Sequence, residues 1–238
     1  MRNGRRGIQV TAAGDVTVEG NTLTGQFDAA LLLSGGASGT LRPLVSENAM
    51  EQGEVGIALE RTTGGTIARN ARRANMQGMN IVDSEALTIA GNEIAGGRRS
   101  MISGARDLQL TENVIGRTLI VRAVSGTFVF TKNRFVGEDV GFGVDGRAVV
   151  LENRFQRAFI SGGTQIDVER NEGKLLQVEG AAAVTARQPV HRTGQGHRAG
   201  SGGEPQPGGR SHRGRPGRAH PGQCDHRRCA DFRRPRHR

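Results

Sequence analysis

A recurring asparagine constrains this chain more than any other feature. Asn21, Asn48, Asn70, Asn92, Asn113, Asn133, Asn153 and Asn171 follow one another at intervals of 27, 22, 22, 21, 20, 20 and 18 residues. Three residues before each stands an apolar side chain: Val18, Val45, Ile67, Ile89, Leu110, Phe130, Val150 and Val168. Five before come Val16, Pro43, Gly65, Leu87, Leu108, Phe128, Ala148 and Ile166. Two after come Leu23, Met50, Arg72, Ile94, Ile115, Phe135, Phe155 and Gly173, apolar in six of eight. The repeating unit is therefore Φ-x-Φ-x-x-Asn-x-Φ, with Φ apolar. A second short strand precedes it, visible in Gly7-Ile8-Gln9-Val10, Gly56-Ile57-Ala58-Leu59, Gly78-Met79-Asn80-Ile81 and Gly141-Phe142-Gly143-Val144.

Alternation with period two marks strands that bury one face. Strands of three to five residues, cornered by Gly and Asn, suit a chain that turns every few residues. A period near 20 also fits leucine-rich repeats, but those need several leucines per unit and a helical or extended return segment, and neither is visible. The expected fold is all-β: a single-stranded parallel β-helix, a solenoid of about eight coils over residues 1–186. Like residues then stack in rows along the axis. Phe128, Phe130, Phe135, Phe142, Phe155 and Phe159 fall in consecutive coils and are expected to form a phenylalanine stack. Each Asn carries a donor and an acceptor, so identical Asn at one corner can bond in a ladder, and Asn tolerates the left-handed conformation of a sharp corner. These residues read as scaffold.

Repeats such as Ala86-Leu87-Thr88-Ile89-Ala90-Gly91-Asn92-Glu93-Ile94 resemble those of the right-handed parallel β-helix, or pectate-lyase-like, superfamily. The resemblance covers about three quarters of the chain. It implies a right-handed coil and, in sugar-binding members, a ligand surface on one exposed sheet. Residues at or just past the end of the Gly-led strand are Glu60, Arg61, Asp83, Arg122 and Asp145, the candidate ligand-facing set. In the resembling lyases, carboxylates on adjacent coils hold Ca2+ and an arginine acts as base; here intervening coils carry Ser103-Gly104 or Ser161-Gly162, which thins the cluster. The paired acids Glu138-Asp139 would suit a glycosidase, though a charged turn explains them as well. The Asp-Asp pair and Gly-His-Gly motif of the resembling galacturonan hydrolases are absent, and with no Trp or Tyr the usual platforms for sugar rings are missing. No lyase or glycosidase motif is complete, so the reading leans away from an enzyme.

Composition divides the chain. From Arg187 onward there are 13 Arg and no Lys, against Glu204, Asp225 and Asp231. Residues 1–186 are left with 20 basic and 20 acidic side chains, so the formal charge of +10 belongs to the tail. All six His and both Cys lie there too. The body therefore has no disulfide and no soft-ligand metal site. No apolar run is long enough to span a membrane.

Residues 187–238, rich in Arg, Gly, Pro and His, are expected to be disordered. They read either as an out-of-frame product of GC-rich DNA or as a genuine basic segment for nucleic acid. His220, Cys224, His226 and Cys229 match no common zinc spacing. Neither solenoid end shows a cap, and the first repeat starts within seven residues, so either the protein stays inside the cell or, as the missing cap favours, an N-terminal portion is absent; the protein is exported or at the cell surface if that portion carries a signal.

Three functions follow as alternatives. The first is a scaffold that contacts or processes polysaccharide at the cell surface or outside the cell. The second is a non-catalytic structural or adhesive β-helix. The third is nucleic-acid binding through the tail. Oligomeric state is not legible.

Overall fold

The structure, a computed structural model, describes residues 1–11, 14–36, 41–94, 98–137 and 139–187. The basic tail beyond Arg187, the four His and Cys zinc candidates and Glu138 lie outside the described residues. Among the described residues there is no helix. The chain winds through three columns of short parallel strands. The first column holds Arg6–Thr11, Ala29–Ser34, Val55–Glu60, Gln77–Val82, Arg99–Ser103, Asp139–Val144, Arg157–Gly162 and Leu175–Glu179. The second holds Gly14–Glu19, Leu41–Ser46, Thr66–Ala68, Thr88–Ala90, Arg106–Thr111, Arg147–Leu151, Gln165–Glu169 and Val184–Arg187. The long strand Thr118–Thr131 runs round the corner and serves both. The third column is a separate six-stranded sheet: Thr22–Thr24, Ala49–Glu51, Ala71–Arg73, Glu93–Ile94, Val114–Ile115 and Arg134–Phe135. This is the expected solenoid: eight coils that each carry a ladder asparagine, then one further rung. Met1–Asn3 lie along the first strand of the third column, where Met1 O accepts from Thr24 N at 3.0 Å and Asn3 N donates to Thr24 O at 2.9 Å.

Sequence periodicity becomes packing through the register. Val18, Val45, Ile67, Ile89, Leu110, Phe130, Val150 and Val168 pair in succession down the second column, and all are buried. Leu23, Met50, Ile94, Ile115, Phe135 and Phe155 line the third. Burying one such side chain contributes about 1.5–3 kcal/mol. The rings of Phe128, Phe130, Phe135 and Phe142 form one cluster, with centroids 4.7 to 5.9 Å apart.

Two expectations about the first column need correction. Phe159 is 38% exposed, because its neighbours Ala158 and Ile160 take the inward positions of their strand. Gly141 pairs with Ile120 and stands in the outward row of Asn80, not in the inward row of Gly56 and Gly78. Its resemblance to the other Gly-led strands is a two-residue slip.

The asparagines point inward. Asn70 is typical: its Nδ2 lies 2.9 Å from Val45 O, 3.1 Å from Ala68 O and 3.0 Å from Asn92 Oδ1. Its own Oδ1 accepts from the backbone N and the Nδ2 of Asn48, both at 3.0 Å. The pattern continues unbroken from Asn21 to Asn171.

The left-handed corner belongs to a different residue than expected. Gly20, Glu47, Arg69, Gly91, Glu112, Lys132, Glu152 and Arg170, each just before its asparagine, have φ between 50° and 66°. The turn made there swings the next side chain into the core and leaves Asn in an ordinary conformation. Six of these eight are not glycine, at about 1–2 kcal/mol each, a strain the ladder must hold.

Outside, charges pair along the axis. Arg69 meets Glu47 at 3.1 Å, Arg147 meets Asp167 at 2.7 Å, Arg154 meets Glu172 at 2.7 Å and Arg170 meets Glu152 at 2.8 Å, each on the adjacent coil. Arg147, with help from Gln165, holds the Asp167 carboxyl below its ordinary range. Exposed pairs of this kind contribute little individually, but like charges stacked one above another would oppose the register.

Removing one interior rung of the ladder should be costly. In Asn113→Ala the backbone N–H of Asn92 loses its acceptor and the carbonyl of Ile89 loses a donor, inside the core. We expect a loss of about 2–4 kcal/mol in urea unfolding. Asn21→Ala, on the half-buried outer rung, should cost less than about half of that.

Candidate functional site

Glu60, Arg61, Asp83, Arg122 and Asp145 fall on three different rows. Glu60 and Arg122 share one row, with Val82 and Ser103 between them. That is three strand spacings, roughly 14 Å. Arg61 and Asp83 are the residues that turn the chain out of the first column, with φ of 50° and 48°; Gly104 and Ala123 do the same work on the next coils. The Asp83 carboxylate occupies the space that a side chain on Gly104 would need. Asp145 lies beyond that corner row, its N–H bonded to Val124 O at 2.8 Å. Arg61 and Asp83 are neighbours on adjacent coils, but among the described residues no ion pair joins them. The structure thus gathers two of the five at one corner and spreads the rest along the solenoid. Asp139 accepts from Nε and Nη2 of Arg157, at 2.6 and 2.8 Å, and is spoken for as a charged-turn partner. Among the described residues no three Asp, Glu, His or Cys side chains come together as a metal site.

Cations do converge elsewhere, at the corner between the third and first columns. Arg98, Arg117, Thr118, Gln156, Arg157 and Lys174 line a groove of about 870 Å³, floored by Gly116, Val136 and Gly137. Arg98, Arg117, Gln156 and Lys174 each stand just before a strand of the first column, so coil stacking sets them in one line along the axis. Gly137 permits the close approach, since a side chain there would run into the backbone of Gly116 and Arg117. Arg157 is neutralised by Asp139, but no described acid pairs with Arg98, Arg117 or Lys174. Along the corner row before the asparagines, by contrast, axial pairs such as Arg69–Glu47 and Arg170–Glu152 cancel charge. In this groove three cations without a described acidic partner, with two neutral donors, Thr118 and Gln156, face one channel.

Sequence inspection passed over this line for a simple reason. Its members stand six, four, three and three residues after Asn92, Asn113, Asn153 and Asn171. The corner shortens as the coils taper, so a fixed offset from the asparagine does not find the column. Counting back from the start of each first-column strand would have done so.

The chain belongs to the right-handed β-helix family: the family model for the right handed beta helix region matches residues 6–171, from the first strand to the last ladder asparagine. No curated protein and no solved structure matches it. The family defines the coil and its handedness and leaves the ligand open.

The spread of Glu60, Asp83 and Asp145 gives a direct expectation for calcium, which needs several oxygens within about 2.5 Å. The melting temperature in millimolar calcium should equal that in chelator within about 1 °C, because the described residues form no folded-state site to be filled. A larger rise would show a carboxylate cluster that this geometry does not contain.

Proposed function

We propose that this protein is a non-catalytic β-helix scaffold that contacts polysaccharide, and that it does so through the cationic groove, with glycans bearing carboxylate or sulfate groups. The observation that carries the reading is the line of Arg98, Arg117 and Lys174, unpaired among the described residues and facing one channel. Guanidinium groups suit planar oxyanions because they donate two parallel bonds. Thr118 and Gln156 add neutral donors and acceptors of the kind sugar hydroxyls use. Among the described groove residues there is no unpaired carboxylate, thiol or imidazole to act as acid, base or nucleophile, which supports binding over cleavage. Ligands of this kind belong to the cell surface or its surroundings, and the reading carries the protein there.

Affinity electrophoresis or calorimetry of the full chain against polyuronate, sulfated glycan, neutral glycan and duplex DNA tests this. We expect the anionic glycans to bind and the neutral one not to. The logarithm of affinity should fall with the logarithm of salt with a slope of about −2, as for roughly three neutralised charges. The double substitution Arg117→Ala, Lys174→Ala should weaken glycan binding tenfold or more. Binding unchanged in the double variant, or a preference for DNA that the groove substitutions do not touch, would overturn the reading.

A further inference from the structure

Arg72 occupies the inward row of the third column, between Met50 and Ile94, where other coils bury aliphatic or phenyl groups. It is wholly buried. Its one hydrogen bond is from Nη1 to Gly78 O at 3.3 Å, while Nε and Nη2 have no partner. No described carboxylate offsets the charge, and burial pushes the guanidinium down to about 9. Room for the side chain comes from the first column: a Cβ on Gly56 would meet Arg72 Cδ at 2.9 Å. That inward row carries Ala30 before Gly56 and Gly78, and Leu119 and Val140 further on, so the glycines also remove apolar contact.

The disturbance does not stop at Arg72. Among the described residues five buried side-chain polar atoms lack a partner, and four of them belong to Thr62, Arg72 and Asn80. These three lie within a single turn of chain, Thr62–Val82. The same turn holds the register shift between Gln77 and Asn80 against Arg99–Ser103, where the coil loses a residue. A stacked solenoid is held by nearest-neighbour contacts, so a deficit confined to one rung is not shared by the others. Unpaired buried polar groups and an unpaired buried charge each oppose the folded state of the rung that holds them.

We infer that the turn Thr62–Val82 is a built-in weak rung: the solenoid opens there as a unit while the coils on either side stay folded, so that it parts internally instead of unravelling only from its ends. The coils that carry Arg98 to Lys174 all lie on the C-terminal side of the break. Opening divides the N-terminal coils from an intact groove-bearing block. Such a break is a local opening of the kind that hydrogen exchange resolves from global unfolding.

Backbone hydrogen exchange of the full chain, read by mass spectrometry, tests this. Peptides covering Thr66–Ala68 and Gln77–Val82 should exchange at least tenfold faster than those covering Leu41–Ser46 before them and Arg106–Thr111 after them, although all four are internal. Arg72→Met should slow exchange in the weak rung selectively and bring it to within about threefold of its neighbours. Arg72→Leu serves as a second replacement should methionine repack poorly. A wild-type profile that declines smoothly from the middle to the ends overturns the inference. So does protection that the Arg72 replacements change equally in every coil, or not at all.

Discussion

Each interior asparagine offers its carbonyl oxygen to the rung before it and reaches with its amide towards the rung after it. Because Oδ1 of Asn70 serves both the backbone and the side chain of Asn48, the ladder fixes spacing and register together. A slip of one residue would place Glu, Arg or Lys in the core and leave a row of corner N–H groups without acceptors. The apolar rows stabilise the solenoid more in total, but they tolerate exchange among Val, Ile, Leu and Phe. The ladder tolerates no such exchange, and the left-handed residue ahead of each asparagine holds only while the ladder does. Backbone geometry, core rows and outer charge columns all follow from where this one side chain points.

What the sequence made legible was what repeats in kind. Eight asparagines recur unchanged and the residues three before them are apolar in every coil, so their columns are visible without a structure. Features carried by varied residues were hidden. The left-handed position is filled by Gly, Glu, Arg and Lys, and nothing in that set announces a shared conformation; the glycine at two of the eight was the only hint. Phe159 looked like core because it is a phenylalanine near other phenylalanines, yet strand parity decides its side, and parity depends on a corner length that the sequence does not display. Arg72 was visible as the misfit in its column. That it stays buried without a counter-ion was not, since an arginine at such a place more commonly extends its head to water.

The outer surface obeys a second rule. Along the corner row the charges run Glu47, Arg69, Gly91, Glu112, Lys132, Glu152, Arg170, alternating in sign wherever they are adjacent, with pairs closed at Glu47–Arg69, Glu112–Lys132 and Glu152–Arg170. Several other outer cations likewise meet an anion one coil away, among them Arg42 with Asp15, Arg147 with Asp167 and Arg154 with Glu172. The groove of Arg98, Arg117 and Lys174 is where cations without a described acidic partner converge on one channel, whereas the candidate set of Glu60, Arg61, Asp83, Arg122 and Asp145 is spread over three rows, one of which turns the chain. Unmatched charge on a repetitive surface is a better guide to a ligand than a polar residue as such.

Hydrogen exchange of the asparagine side-chain amides, followed by NMR, probes the ladder without disturbing it. The account requires the NH₂ groups of Asn92, Asn113, Asn133 and Asn153 to exchange as slowly as the backbone amides of the strands they join, while the exposed Asn3 exchanges at the rate of a free amide. Interior asparagine amides that exchange as fast as Asn3 would mean that these side chains face water, and the solenoid as described here would be wrong.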